Sequence, residues 1–489
     1  MMLSHFLQLN ADYALRAMER NGLHIDRARL RGVISKAEAN KSRCKDQLGR
    51  YGVVPGKPGV KKAEAAQFNR IEQEAGISLP RTPKGAYSTR ADALKDYCDY
   101  PFIEALLGYK KAEKLLQSMT KLDTESGRIF PRYQVLVNTG RTSSSSPNIQ
   151  NLPREGGVRE CIIPAPGHVF FNADYSGLEM CTLAQTCVDR YGRSEIANKI
   201  NAGIDLHRFG ASQILGIPEE QVDDESRRKM KAVNFGFPGG LQPRALVEYA
   251  KATYGVHMTE EEAQLMRSRW LELFPEMQFY LAECDDLEAV CRWLNPLAFP
   301  FAMIPDTAAK ILFRIASGAT ESRDGKPYSK KVLTWAWRVF GEIAVSQTQK
   351  RKVAQREGGR EILGLLRALH TVALPSGRIR SRCRYTQAMN TPFQGLAADG
   401  CKLALYRLVK AGFRVTTFVH DEVLVELPLA DDYQRPADRI ERIMVDSMRE
   451  FCPDVRISVD YSISERWSKY AEKVEGSAGH LICWRPSDG

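Results

Sequence analysis

The stretch Arg227-Arg228-Lys229-Met230-Lys231-Ala232-Val233-Asn234-Phe235-Gly236 decides how the chain is read. It is rich in helix formers, and Pro238-Gly239-Gly240 ends it. Arg227, Lys231 and Phe235 fall at i, i+4 and i+8, so a helix stacks two cations and one ring on a single face. Two cations one turn apart can grip a polyphosphate, and a flat ring beside them can pack on a base or a sugar. Taken alone, such a run is more often a solvated basic face with one core phenylalanine.

Two acidic stretches on either side reverse that balance. Upstream, His168-Val169-Phe170-Phe171-Asn172-Ala173-Asp174-Tyr175-Ser176-Gly177-Leu178-Glu179 is an apolar run ending in an acid. It reads as a buried strand that delivers Asp174 at its tip. Downstream, Val415-Thr416-Thr417-Phe418-Val419-His420-Asp421-Glu422-Val423-Leu424-Val425-Glu426 is β-rich on both sides of a polar centre. A hairpin with His420, Asp421 and Glu422 at its turn is expected. Carboxylates presented from two strands suit hard, oxygen-seeking Mg²⁺. Two such ions about 3.5–4 Å apart would activate an attacking hydroxyl and stabilise a leaving pyrophosphate.

Composition sets the outer bounds. At 489 residues the chain is too long for one compact core and predicts several lobes. With 43% hydrophobic and 26% charged residues it has ordinary globular composition, and a net charge of +11 favours a polyanionic partner. The 11 cysteines are scattered without a Cys-x2-Cys pair, so reduced thiols are expected rather than a zinc site or a disulfide framework. Met1 to Asp12 lacks a basic leader, and no apolar stretch approaches the roughly 20 residues needed to span a bilayer. A cytoplasmic protein with no membrane partner is expected.

Asp-Tyr-Ser-x-x-Glu at 174–179, Arg-x3-Lys-x3-Phe-Gly at 227–236 and His-Asp-Glu at 420–422 occur in that order. This ordered set resembles motifs A, B and C of family A DNA polymerases, the bacterial DNA polymerase I type. Details from Phe393 to Gly400 are closer to the phage-type branch. The resemblance implies an α+β fold: a right-hand polymerase with an antiparallel palm sheet and mainly helical thumb and fingers. It divides the chain into a lead-in segment packing on the palm (1–26), a thumb (27–126), a first palm part (127–200) and fingers (201–282). A basic insertion (283–370), a second palm part (371–470) and a loose tail (471–489) follow.

The same resemblance assigns roles. Asp174 and Asp421 would bind the two Mg²⁺ ions, with Mn²⁺ as a substitute, and the Tyr175 carbonyl would bind one of them. Glu422 would be an accessory acid and His420 a contact to the primer terminus. His207, in Asp205-Leu206-His207-Arg208, would hold the triphosphate of a deoxynucleotide with Arg227 and the catalytic Lys231, and Phe235 would lie at the sugar. Glu179 would sit beneath the sugar and exclude a 2′-hydroxyl. Arg141, in Thr139-Gly140-Arg141-Thr142-Ser143-Ser144, would reach the primer strand near its end. Asn390 and Gln394, one helical turn apart, would donate to minor-groove acceptors that Watson–Crick pairs present in nearly constant places. Lys110 and Lys114, on a helix expected over 102–122, would neutralise phosphates of the product duplex. Gly177, Cys181 and Gly239 depart from the family's Gln, Arg and Tyr; the missing ring at Gly239 leaves space or demands a substitute, which Phe237 or another residue could supply.

The expected activity is template-directed extension of a DNA primer with deoxynucleoside triphosphates. Two rivals remain: a single-subunit RNA polymerase, against which Glu179 and Phe235 argue, and a catalytically inactive DNA-binding homologue, against which Asp174 and Asp421 argue. Asp123-Thr124-Glu125 matches the Asp-x-Glu that opens exonuclease sites, but Ser126-Gly127-Arg128 follows at once, and a turn is expected. The chain is therefore expected to lack a 3′–5′ exonuclease. The cytoplasmic setting would be the host's for a phage protein, and nucleoid-associated. In the insertion, residues 321–370 hold 11 Lys plus Arg against 5 Asp plus Glu, and Lys350-Arg351-Lys352 forms a cluster. That lobe would extend the grip on DNA or dock a replisome protein.

Overall fold

The computed structural model describes residues 3–281 and 372–485, without 83, 154, 381, 382, 384 and 478, together with residues 321 and 327. Apart from residues 321 and 327, the insertion lies outside the described residues, and with it Lys350-Arg351-Lys352 and the helices expected at 306–317 and 331–345.

Helix α1 (Leu3–Asn21) leads into strand β1 (Leu23–Ile25). The region expected as the thumb follows as α2 (Arg27–Arg50), α3 (Val60–Ala75), the short α4 (Ala91–Leu94) and α5 (Pro101–Met119). Asp26 caps α2 by accepting from the Arg29 N–H at 2.9 Å. The thumb has its own core, in which Phe68, Phe102, Leu106 and Leu48 are buried together. Asp123 to Glu125 form the turn between α5 and β2 (Arg128–Ile129), and Arg27 pairs with Asp123 at 3.6 Å.

The short strands β3 (Arg132–Gln134) and β4 (Ser143–Ser145) pair with each other, while β1 sits between β2 and β5 (Ile162–Ile163). Strand β6 (His168–Tyr175) then runs into α6 (Leu178–Tyr191). Helix α7 (Glu195–Asn201) follows, and the region expected as the fingers holds α8 (Leu206–Leu215), α9 (Asp224–Gly236), α10 (Pro243–Tyr254), α11 (Glu260–Leu273) and α12 (Glu276–Tyr280). After the insertion come β7 (Val372–Ala373), β8 (Ile379–Arg380) and the long α13 (Tyr385–Lys410). The hairpin β9 (Arg414–Val419) and β10 (Glu422–Pro428), α14 (Gln434–Arg449) and β11 (Val459–Ser464) complete the palm.

The palm sheet is antiparallel, in the order β11-β6-β10-β9. Its strands are near-continuous apolar runs because both faces are covered: Phe170, Phe171, Val415, Leu424 and Val425 are all fully buried. Helix α13 packs against α1, α6 and α14, and so ties the lead-in helix to both palm parts.

The tail differs from expectation. Strands β12 (Val474–Glu475) and β13 (Leu481–Ile482) form a hairpin with Leu481 buried. The Trp484 N–H then donates to the Ile463 carbonyl at 2.7 Å, covering the free edge of β11. An apolar run, Leu481-Ile482-Cys483-Trp484, overrides the Gly/Ser composition around it.

Candidate active site

The site is built on the palm ladder. Asp174 is the penultimate residue of β6 and is exposed at its tip, while Tyr175 turns inward and its hydroxyl donates to the Met444 carbonyl at 2.7 Å. That buried ring anchors the strand end. On the neighbouring strand, Val419 pairs with Glu422, so His420 and Asp421 form a two-residue turn. His420 takes φ +62°, the left-handed region that a His tolerates better than a branched residue. Glu422 pairs with Asp174 across the ladder, which places the two carboxylate stretches side by side at one end of the sheet.

A cleft opens there, lined by Arg141, Glu179, Ala398, Lys402, His420 and Asp421 among others. Glu179 lies in the first turn of α6, which starts after Gly177 in the left-handed conformation at φ +61°. Its carboxylate is ion-paired with the Arg141 guanidinium. Burial pushes the Asp421 carboxyl above the usual carboxylate range; Glu179 and Glu422 push the same way, and Arg141 opposes them. Negative charge is thus in excess around Asp421. The fit to Mg²⁺ follows from this donor set: exposed and cleft-lining carboxylates with unbalanced charge, rather than a closed cage. Among the described residues no three acidic, His or Cys side chains converge as a ready-made metal site. Mg²⁺ commonly uses one or two carboxylates plus substrate phosphates and water.

Glu422 is more tightly engaged than an accessory acid needs to be. The Trp467 indole N–H donates to one of its oxygens at 2.6 Å, and Arg159 reaches the other at 3.3 Å. Arg159 is itself buried and stacked over the Trp467 ring at 4.3 Å.

In the fingers, α8 and α9 bring His207, Arg227, Lys231 and Phe235 together. Asp205 caps α8 and also accepts from Arg227, with contacts of 2.9 and 2.8 Å. The Lys231 side chain makes no hydrogen bond or ion pair within the described residues. The His207 and Phe235 ring centroids are 5.7 Å apart. Burial pulls the His207 imidazole down to about 4, and Arg227 and Lys231 pull the same way against Asp205. His207 is therefore neutral near pH 7. Buried Asn234, which carried no signal in sequence beyond being a polar residue in a helix, lies 2.9 Å from His207 Nδ1 and accepts from the Trp270 indole at 2.9 Å. With the Asn234 oxygen taken by Trp270, its amide N–H donates to Nδ1, which leaves the His207 proton on Nε2.

Other predicted residues fall less evenly. Asn390 donates to the Gly239 carbonyl at 3.2 Å and accepts from Gln394 at 3.4 Å, so this amide pair bridges α13 to the end of the motif helix. A Cβ at position 239 would meet the Asn390 amide at 3.1 Å. Phe237 does not fill that space: it is fully buried against Trp270, 5.6 Å between centroids. Cys181 is buried on α6, with its thiol toward the Arg456 carbonyl at 3.7 Å. Lys114 is exposed on α5, whereas Lys110 is half-buried and donates to the Thr89 carbonyl at 3.2 Å. Its contribution is to the thumb's packing, because that face of α5 turns toward the loop before α4.

Comparison with known proteins fits this geometry. The polymerase domain of Pol1 from M. smegmatis, solved in complex with DNA primer-template and dNTP, shares the right-hand fold: TM-score 0.61 at 23% identity, covering 94% of this chain and 70% of that one. The family model for DNA polymerase family A matches residues 63–289 and 338–469. The chain belongs to DNA polymerase family A. DNA polymerase I of Aquifex aeolicus is 28% identical over 466 residues, covering 92% of this chain and 65% of the relative. The thermostable DNA polymerase I of Thermus aquaticus is 25% identical over 468 residues, covering 92% and 46%. DNA polymerase I of Mycobacterium tuberculosis H37Rv is 26% identical over 489 residues, covering 95% and 44%. The chain thus spans 44–65% of the length of these three relatives.

Proposed function

We propose that this chain is a template-directed DNA polymerase that adds deoxynucleotides to a DNA primer. The observation that carries the reading is the β6–β10 register, which pairs Asp174 with Glu422 next to the Asp421 turn, where Asp421, Glu179 and Arg141 line one cleft. Asp174, Asp421 and the Tyr175 carbonyl would hold two Mg²⁺ ions. When bound, these supply a lowered pKa for the primer 3′-hydroxyl and neutralise charge on the phosphates. Arg227, Lys231 and neutral His207 would orient the triphosphate, with His207 donating from Nε2. Glu179 would exclude a 2′-hydroxyl by occupying the space beneath the sugar, and Arg141 would leave Glu179 for the primer strand when DNA enters. Asn390 and Gln394 would inspect the minor groove, His420 the primer terminus, and Lys114 a backbone phosphate. The insertion would add DNA grip or receive a replisome protein. The Asp123-Thr124-Glu125 turn would not serve as a 3′–5′ exonuclease site, and the chain would work in the cytoplasm, the host's if phage-encoded, in association with the nucleoid.

Primer extension with purified protein, Mg²⁺ and either deoxy- or ribonucleotides tests this directly. Templated addition of deoxynucleotides is expected. A preference for ribonucleotides would favour the RNA polymerase reading, and binding without extension the inactive homologue. A 3′-mismatched primer left without nucleotides should stay undegraded.

A further inference from the structure

We infer that Arg378, locked by Asp399, is a positioning residue that aims Arg141 at the primer end; this rests on the polymerase reading above. Arg378 follows the tight turn between β7 and β8, where Gly377 takes φ +80°. Its guanidinium donates to the Gly395 carbonyl at 2.9 Å and approaches the Asp399 carboxylate at 3.3 Å. Asp399 is fully buried, and its other oxygen accepts from the Ser376 hydroxyl at 2.6 Å. The guanidinium therefore has a fixed seat on α13, the helix that also presents Asn390 and Gln394.

What rests on that seat is the loop carrying Arg141. A Cβ at Gly140 would fall 1.2 Å from Arg378 Nη1, so the guanidinium occupies the place a side chain would take. Gly140 also holds φ +89°, which disfavours any other residue there. On the opposite side, a Cβ at Gly395 would come within 2.8 Å of Nη2. Arg378 is thus pressed between two glycines, one on the loop and one on α13. Otherwise the loop is closed by two backbone hydrogen bonds of its own, Val137 to Arg141 at 2.9 Å and Gly140 to Val137 at 2.7 Å. Those bonds shape the loop without fixing it to α13.

The surroundings brace the seat from a third side. The Ser4 N–H at the start of α1 donates to the Ser376 carbonyl at 2.7 Å, and Lys402 donates to Gln8 at 2.6 Å. A buried ion pair is weak as a source of stability, since apolar residues of similar size often serve as well. Its directional, planar contact with two backbones is what an apolar pair would not reproduce. The pair therefore fits a role in alignment: it sets the depth at which Arg141 enters the cleft beside Glu179 and Asp421.

The test is a thermodynamic cycle. Single-turnover incorporation and primer–template affinity are measured for the wild type, Arg378→Met/Asp399→Asn, Arg141→Ala and the triple variant. The paired change removes one charge of each sign and keeps an acceptor for Ser376. It should slow incorporation about tenfold or more, the scale of a misplaced positioning group, with Tm within about 4 °C of wild type. In the Arg141→Ala background the same change should cost less than about twofold, because neighbours acting through one group are non-additive. A full, additive loss in both backgrounds, or no loss in either, overturns the inference. Should the paired variant not fold, Arg378→Lys keeps the charge but loses the planar fork over Gly140, and the same cycle applies. A wild type that extends no primer would instead sink the polymerase reading.

Discussion

Asp174 and Glu422 stand directly opposite one another across the β6–β10 ladder, yet their carboxylates serve different ends. Asp174 is exposed at the strand tip, while both Glu422 oxygens are engaged, one by Trp467 and one by Arg159. The pairing sets where Asp174 sits; Glu422 acts as the peg that holds the ladder end in place.

Glu422→Ala should therefore damage stability before chemistry. It takes a carboxylate partner from the buried Arg159, whose side chain is 6% exposed, and removes the acceptor of the Trp467 indole N–H. A loss of about 3 kcal/mol is expected, near the low end for breaking a buried pair because Glu422 keeps some solvent. Glu422→Gln retains an acceptor and should lose less. Denaturant melts of both variants check the order, and equal losses would remove the peg role.

Glu179→Ala should admit ribonucleotides. It removes bulk and charge from the cleft and frees Arg141 from its ion pair. The deoxy-to-ribo preference in single-nucleotide kinetics should fall by about a hundredfold, the worth of a few kcal/mol of steric exclusion. An unchanged preference would place the gate elsewhere.

His207 should make the fold acid-sensitive. Its folded pKa of about 4 lies below the ordinary 6.5, so the unfolded chain binds a proton that the folded chain refuses. Its neutral burial costs nothing above pH 6.5, and stability is lost as pH falls from there to about 4. At about 1.4 kcal/mol per pH unit the loss reaches about 3 kcal/mol. His207→Gln should flatten the stability profile in that window, and an identical slope in both proteins would show that His207 titrates normally.

The two thumb lysines should separate in salt. Lys114 is exposed, and its removal should lower the slope of log affinity against log salt by about 0.9, one phosphate contact. Lys110 is committed to the Thr89 carbonyl, so Lys110→Ala should leave the slope unchanged. Equal effects would mean that both reach DNA.

Much of this was legible in the sequence for a physical reason. An apolar run ending in an acid has few readings, and β6 and the β9–β10 turn fall where those runs end. The motif helix also runs as its spacing predicts, to Gly236. Contacts between distant segments were not legible. Nothing near Gly140 points to Arg378, and nothing near His207 marks Asn234, because only the tertiary fold brings them together. Lys110 and Lys114 look alike in a charged helix, and a single turn of α5 decides which one meets the loop. The tail was misread because glycine and serine around 476–479 outweighed the short apolar run that docks on β11.

The most direct test of the central claim is single-turnover incorporation by Asp174→Asn and Asp421→Asn, with primer–template affinity measured on the same samples. Each change removes a proposed metal ligand and no phosphate-binding cation. Incorporation should fall by about a thousandfold or more, roughly 4 kcal/mol of transition-state stabilisation, while affinity stays within about threefold. Either variant keeping a tenth of the wild-type rate while folded and bound to DNA would contradict the assignment of this cleft as the polymerase active site.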